Sequence, residues 1–272
     1  MADDRLFSLE GRPVIVTGGL GLLGSRFTRA LLRAGASVGV FEVGVTPERV
    51  ASIFGDVPRE RLEVLEADVT RRPSLEAALA QVTARFGTPF GLVNNAAIDV
   101  TPAAPAAENG PFESYPESSW DKMMEVNVKG VMLASQVVGG ELARAGRGSI
   151  VNIGSIYGSV SPDQRIYEYR RQSGEAFYKP VTYSVSKSAL LNLTRYLATY
   201  WGERSVRVNT LTLAGVRAGQ HESFMERYVA KVPLGRMAEP DEYDGALVFL
   251  MSDASRYMTG SNLVIDGGFT AW

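Results

Sequence analysis

The chain of 272 residues has no cysteine and only one histidine. Without a thiol it can hold no disulfide, no thiolate nucleophile and no cysteine-ligated zinc or iron–sulfur cluster. The lone His221 offers no ligand spacing, so it reads as a surface residue and no metal is expected. An excess of either charge is also missing, since 28 Lys and Arg stand against 30 Asp and Glu, a net charge of −2. That balance argues against a broad electrostatic claim on nucleic acid. No run of about 18 apolar residues occurs, so no membrane span is expected. The opening, MADDRLFSLEGR, is acidic and has no apolar core, unlike a secretory signal. The expected location is therefore cytoplasmic. What remains is a globular composition, 45% hydrophobic and 21% charged, long enough for a sizeable core.

Glycine is plentiful, with 28 residues, and its placement is informative. From Pro13 the chain reads PVIVTGG, a β-branched run that stops at glycines. LGLLGSRFTRALLRAGA follows, with Leu23, Phe27, Ala30, Leu31 and Ala34 at helical spacing and Arg26, Arg29 and Arg33 on the other face. Gly35 is placed to end that helix. The alternation continues with strands at 37–43, 62–68, 90–95, 148–155, 205–213 and 262–266. Helices are predicted near 73–86, 118–143, 181–201 and 239–251. Strands such as VIV and SIVNI are apolar on both faces, as a sheet covered by helices requires. Right-handed crossovers then give an α/β fold: a Rossmann-type, doubly wound parallel sheet of about seven strands with helices on both faces. No linker or repeat interrupts it, so residues 1–272 read as a single domain.

Gly18, Gly21 and Gly24 join the first strand to the first helix. There, free N–H groups and the helix dipole favour a pyrophosphate. The same pattern also suits a tight turn with no ligand. Glu42 ends the second strand, 24 residues past Gly18, where an acidic group accepts hydrogen bonds from an adenosine ribose and repels a 2′-phosphate. With no Arg or Lys at 20 or 43, NAD is favoured over NADP. A solvated strand-end Glu is the other reading. Leu20, Leu22 and Leu23 complete the turn. Asp68 and Val69 follow the third strand where the adenine edge would lie, and Asn95 and Ala96 follow the fourth, on the cofactor floor.

Tyr183 and Lys187 are spaced i, i+4 and share a helix face, which taken alone also fits a surface pair. Ser155 ends the strand at 148–155, at the carboxyl edge where such sheets bind ligands. Asn127 lies in the preceding helix. With TGGLGLLG, ADVT at 67–70, NNAA at 94–97, NVKG at 127–130, NIGSIYG at 152–158, YSVSK at 183–187 and SRYMTGSNLVIDGG at 255–268, the sequence resembles the short-chain dehydrogenase/reductase family over nearly its whole length.

The resemblance implies hydride transfer between a secondary alcohol or carbonyl and a nicotinamide. Tyr183 would be the general acid/base. Lys187 would lower its pKa and hold the ribose. Ser155 would bind the reacting oxygen, and Asn127 would hold a relay water. The backbone near Val216 would meet the carboxamide. A homo-oligomer, tetramer or dimer, is implied, built on the helices near 118–143 and 181–201, with the C-terminal FTAW at a second interface.

Departures sharpen the reading. The glycine spacing is that of the larger sugar-nucleotide branch, whereas the DGG tail suits single-domain members. Leu213-Ala214 stand where Pro-Gly is usual, and Ala218 where a cofactor-touching Thr is usual. Insertions fall at about 98–117 and 156–180. The second sets Tyr183 28 positions after Ser155, about twice the family spacing, and it is rich in tyrosine and arginine. Tyr157 and Arg165 are its candidate substrate contacts, beside Ser155 and Tyr183; a solvated or oligomer-packing loop is the other reading. The substrate expected is a polar sugar or sugar-derived alcohol. A ketone or 3-oxoacyl reductase, a sugar-nucleotide epimerase or dehydratase with retained NAD, and a non-catalytic NAD-binding protein stand as alternatives.

Overall fold

A computed structural model describes residues 5–99 and 106–272. Seven parallel strands form one sheet in the order β3-β2-β1-β4-β5-β6-β7. They are β1 (Pro13–Thr17), β2 (Ser37–Glu42), β3 (Leu62–Glu66), β4 (Gly91–Asn94), β5 (Gly148–Ser155), β6 (Val206–Leu213) and β7 (Asn262–Ile265). Every residue of β1, β4 and β5 is buried, which explains their unbroken apolar reading. The order reverses between β1 and β4, and such a switch point opens a crevice at the carboxyl ends of the strands.

One core cluster packs Phe27, Leu31, Leu247 and Leu250 on one face of the sheet. The opposite face packs Leu75, Val82, Leu142 and Trp201. A third cluster lies outside the sheet, where Tyr157, Ile166, Tyr167 and Phe177 of the insertion meet Tyr228 and Phe269. The 156–180 insertion is therefore a packed structure with its own apolar centre. Among the described residues, no helix is long and apolar enough to cross a membrane.

The helix expected over 118–143 starts as Glu117–Met124 and ends as Gly140–Ala145, widened into π-helix over Glu125–Gly130 and Ser135–Gly139. The helix expected from 239 begins only at Asp244, because residues 239–243 form turns around Pro240 and an Arg236–Glu242 pair. Three helices escaped the sequence reading, one of them the five-residue Glu168–Gln172 within the insertion. Pro47–Phe54 carried a usable signal, a Thr46 cap before proline at the first position. Glu222–Val229 is capped by His221, whose Nδ1 accepts from the Ser223 N–H at 3.2 Å. Histidine is a poor cap signal. His221 remains an exposed residue, and the described residues hold no cluster of metal-ligating side chains.

Candidate active site

The turn between β1 and the helix Leu22–Arg33 folds tightly on itself. Gly18 has a φ of +66°, which favours glycine, and a Cβ there would meet the Ala96 Cα at 2.8 Å. A Cβ at Gly24 would lie 2.1 Å from the Gly18 carbonyl oxygen. Gly21 differs: its Cβ would meet only the Gly18 oxygen, at 3.4 Å, so this glycine faces open space. The N–H groups of Leu22, Leu23 and Gly24 begin the helix and have no intrahelical acceptor. An open glycine beside these donors is a cradle that fits a pyrophosphate. Leu20 buries its side chain in the core, while Leu22 is exposed.

Thr17 braces the turn from below, its Oγ1 accepting the Asn95 N–H at 3.1 Å and the Ala96 N–H at 3.0 Å. The Asn95 amide donates to the Thr17 and Gly18 carbonyls, both at 3.0 Å. Asn95 thus shapes the turn through its side chain. The Glu42 carboxylate accepts from the Leu20 N–H at 3.1 Å, and the Arg49 guanidinium stands 3.8 Å away. That cation lies nearest Glu42 in space although positions 20 and 43 carry none. Asp68 accepts from the Thr70 N–H and hydroxyl at 2.8 and 2.7 Å. Val69 is buried, and a Cβ at Gly130 would meet its Cγ2 at 2.8 Å.

Tyr183 and Lys187 sit in the first two turns of the helix Val181–Trp201, packed against β5 and β6. The Ser155 hydroxyl accepts from the Tyr157 N–H at 3.2 Å and lies close enough to the Tyr183 phenol to act on its titration. Lys187 is buried and donates to the Ile153 carbonyl at 2.9 Å. Its Nζ lies 5.8 Å from the centre of the Tyr183 ring. A second cation is closer: the Lys179 Nζ is 4.7 Å from that centre and is paired with Asp99.

Burial pushes the Tyr183 phenol well above its ordinary value; Asp99 adds to this and the Ser155 hydroxyl opposes it. Burial lowers Lys187 to about 8, against a smaller upward pull from Asp99. The resemblance implied a phenol with a lowered pKa; burial and Asp99 raise it here, and the Ser155 hydroxyl does not offset them.

One cavity of about 330 Å³ is lined by Leu23 and Asn95 from the cofactor side, by Ser155, Tyr157, Tyr183 and Lys187, and by Val216. Sequence reasoning thus brought seven residues together that line the same space. Arg165 is not among them. Its side chain is 82% exposed and held by Asp163 through two bonds of 2.9 Å, pointing away from the site. The cations of the insertion near the cavities are instead Lys179 and Arg170. The 98–117 insertion contributes to two spaces. Part of it lies outside the described residues; Asp99 reaches the cavity, but residues 110–115 line a neighbouring groove with 161–164 and 178–181.

Three side-chain amides pin the loops around this space. Asn127 accepts from the Ile98 N–H at 2.8 Å and donates to its carbonyl at 2.9 Å, and it also donates to Ser186 at 3.2 Å. Gln164 clasps Lys179 in the same way, at 2.8 and 3.0 Å. Gln220 donates to the Val216 carbonyl and accepts from the Ala218 N–H, at 2.7 and 2.8 Å. The altered loop at 213–218 is further held by the Tyr228 hydroxyl, which accepts from the Gly215 N–H at 2.6 Å. The Asn127, Gln164 and Tyr228 pairings were not visible in the sequence, because only the fold brings their residues face to face; the Gln220 pairing is local.

The family described as enoyl-(acyl carrier protein) reductase matches residues 22–270. The NAD-dependent glycerol dehydrogenase of Listeria innocua is 30% identical over 275 aligned positions, covering 98% of this chain and 97% of that protein. The galactitol 2-dehydrogenase of Rhizobium johnstonii is 33% identical over 280 positions, covering 100% of both. A crystal structure of a short-chain dehydrogenase from Leptospira borgpetersenii with bound NAD+ superposes with a TM-score of 0.82 at 30% identity, covering 99% of this chain and 97% of that one. The motifs, the sheet order and these full-length likenesses agree: the chain is a member of the short-chain dehydrogenase/reductase family.

Proposed function

We propose that the protein is an NAD-dependent dehydrogenase that oxidises a secondary alcohol of a polyol or sugar-derived molecule, or reduces the matching ketone. The cavity that joins Leu23 and Asn95, beside the glycine turn, to Ser155, Tyr183 and Lys187 carries the proposal. The glycerol and galactitol dehydrogenases named above support the substrate class.

In this reading NAD, when bound, supplies the hydride acceptor and a fixed positive charge near the phenol. Gly18, Gly21 and Gly24 hold the pyrophosphate, and Glu42 meets the ribose and disfavours a 2′-phosphate. In oxidation Tyr183 takes the alcohol proton while the Ser155 hydroxyl donates to the reacting oxygen. The Lys187 ammonium favours the phenolate, each unit of pKa being worth about 1.4 kcal/mol. The Asn127 side chain is committed to Ile98 and Ser186, so a relay water would bind its backbone. The test is NADH formation at 340 nm with glycerol, galactitol and simple secondary alcohols, and NADP in parallel. Turnover of polyols with NAD and little with NADP is expected. Failure of all substrates with NAD retained through purification would instead favour the epimerase alternative.

The pH dependence follows from Asp99. Its carboxylate raises the phenol and neutralises Lys179, so Asp99→Asn removes one upward influence and uncovers a cation 4.7 Å from the ring. The variant also loses the upward pull of Asp99 on Lys187, which acts the other way, but it bares Lys179, the nearer of the two cations. Oxidation needs the phenolate, so the rate rises with pH through the phenol's titration. The rising limb of kcat against pH should therefore move to lower pH in Asp99→Asn. A limb that stays or moves upward counts against Tyr183 as the base.

The assembly is proposed to be a homo-oligomer. Met132, Tyr196 and Tyr200 stand exposed on the two long helices, and Trp272 is 81% exposed at the end of the chain. Light scattering at micromolar concentration should give a multiple of 29.4 kDa. A monomer mass would remove this part of the proposal.

A further inference from the structure

Beside the catalytic cavity lies a second, larger one of about 840 Å³. Tyr169, Arg170 and Phe177 of the insertion and His221, the cap of the helix Glu222–Val229, wall it. Asp99, Tyr167, Lys179, Gln220 and Phe224 line both cavities, so the two adjoin along these side chains. The catalytic cavity, at about 330 Å³, is near the lower end of small-molecule sites, which run from roughly 300 to 1,000 Å³. In the dehydrogenase reading the nicotinamide end of NAD would share this space with the reacting carbinol. The outer cavity, more than twice as large, exceeds what the rest of an acyclic polyol occupies.

Its walls indicate what belongs there. Tyr169 and His221 stack at 4.9 Å and 11°, and Tyr167 packs against Phe177 and Phe224 at 5.1 and 5.7 Å. The charges come in pairs, Arg170 with Glu175 and Lys179 with Asp99. A phosphate or carboxylate would have to break one of these pairs. An uncharged sugar ring would not: its apolar face lies on aromatic rings and its hydroxyls meet the edges of the ion pairs.

Building on the dehydrogenase reading, we propose that the substrate spans both cavities: an uncharged polyol whose reacting carbinol sits at Tyr183 and which carries a glycosidically linked sugar ring in the outer cavity. The insertion then sets specificity by selecting glycosylated polyols over free ones.

The probes are lactitol, a galactose ring linked to glucitol, and glucitol itself, each added to the NAD-loaded enzyme. Oxidation is followed at 340 nm, binding by saturation-transfer NMR, and NADH binding by fluorescence. Lactitol should exceed glucitol in kcat/KM by about tenfold or more. Tyr169→Ala, which removes one stacking ring, should collapse that ratio. Ser173→Trp, which fills the outer cavity from its rim without removing a packed ring, should do the same. Lactitol that binds without oxidation, with the binding lost in both variants, supports the same subsite. Glucitol handled as well as lactitol, or a ratio unmoved in both variants, overturns the proposal while leaving the dehydrogenase reading intact. So does an enzyme that binds NADH but no lactitol. An enzyme that binds no NADH overturns the dehydrogenase reading, and this inference falls with it.

Discussion

Replacing Tyr183 by phenylalanine is expected to lower kcat by about three orders of magnitude and to leave NADH binding unchanged. General acid–base catalysis by a placed side chain contributes roughly 10²- to 10⁴-fold, and the variant removes that group alone. The ring itself stays, packed against the insertion's apolar cluster with Lys179 over its face. Lys187 keeps its bond to the Ile153 carbonyl, and Ser155 still accepts from Tyr157. The loss should therefore appear in kcat, with the NADH dissociation constant, read by fluorescence titration, as the control. Activity within tenfold of the parent would remove Tyr183 from the role of general acid/base.

The second large effect separates two glycines of the same turn. In Gly24→Ala the new methyl would sit 2.1 Å from the Gly18 oxygen and 2.8 Å from the Asn95 Nδ2. Relieving the contact means moving backbone that Asn95 and Thr17 tie to β4. Overpacking of this kind costs about 1–3 kcal/mol. The melting temperature should fall by roughly 5 °C, given about 2–4 °C per kcal/mol for chains of 150–250 residues. In Gly21→Ala the methyl meets nothing closer than 3.4 Å. Its melting temperature should match the parent, yet NADH affinity should fall about tenfold or more, because the methyl stands in the cradle. That loss is about 1.4 kcal/mol. Thermal melts and fluorescence titration of both variants decide the matter. Normal NADH binding by Gly21→Ala would move the pyrophosphate away from this turn.

The sheet was legible because its signals are local. Each strand of the switch region is a short apolar run stopped by glycine or a polar residue, and burial on both faces demands that pattern. The proposed catalytic pair was legible through spacing, since Tyr183 and Lys187 are four residues apart on one helix. Ser155 was legible through its place at the end of β5. Arg165 shows where such reasoning stops. An arginine in a loop before the catalytic helix can point either way, and Asp163 two residues earlier turns it outward. The contact between Asp99 and Lys179 spans 80 residues, and no local pattern announces it. The same holds for the buried polar ladder from Asn94 through Asn152 to Thr194 and Thr210, which runs between β4, β5, β6 and the catalytic helix. Its members look like ordinary polar residues of strands and a helix until the strand register and the packing of the helix set them side by side.

The amide clasps have a consequence for how this protein can diverge. Asn127 fastens the root of one insertion and Gln164 the neck of the other, each by a reciprocal pair of hydrogen bonds to one backbone position. Chain beyond a clasp can lengthen at low thermodynamic cost, about 0.6 kcal/mol for each doubling of a flexible loop. The clasped ends, and the Ser155–Tyr183–Lys187 geometry behind them, need not shift as it does. New substrates can then be acquired by rewriting the stretch between Gln164 and Lys179, with the hydride chemistry inherited unaltered.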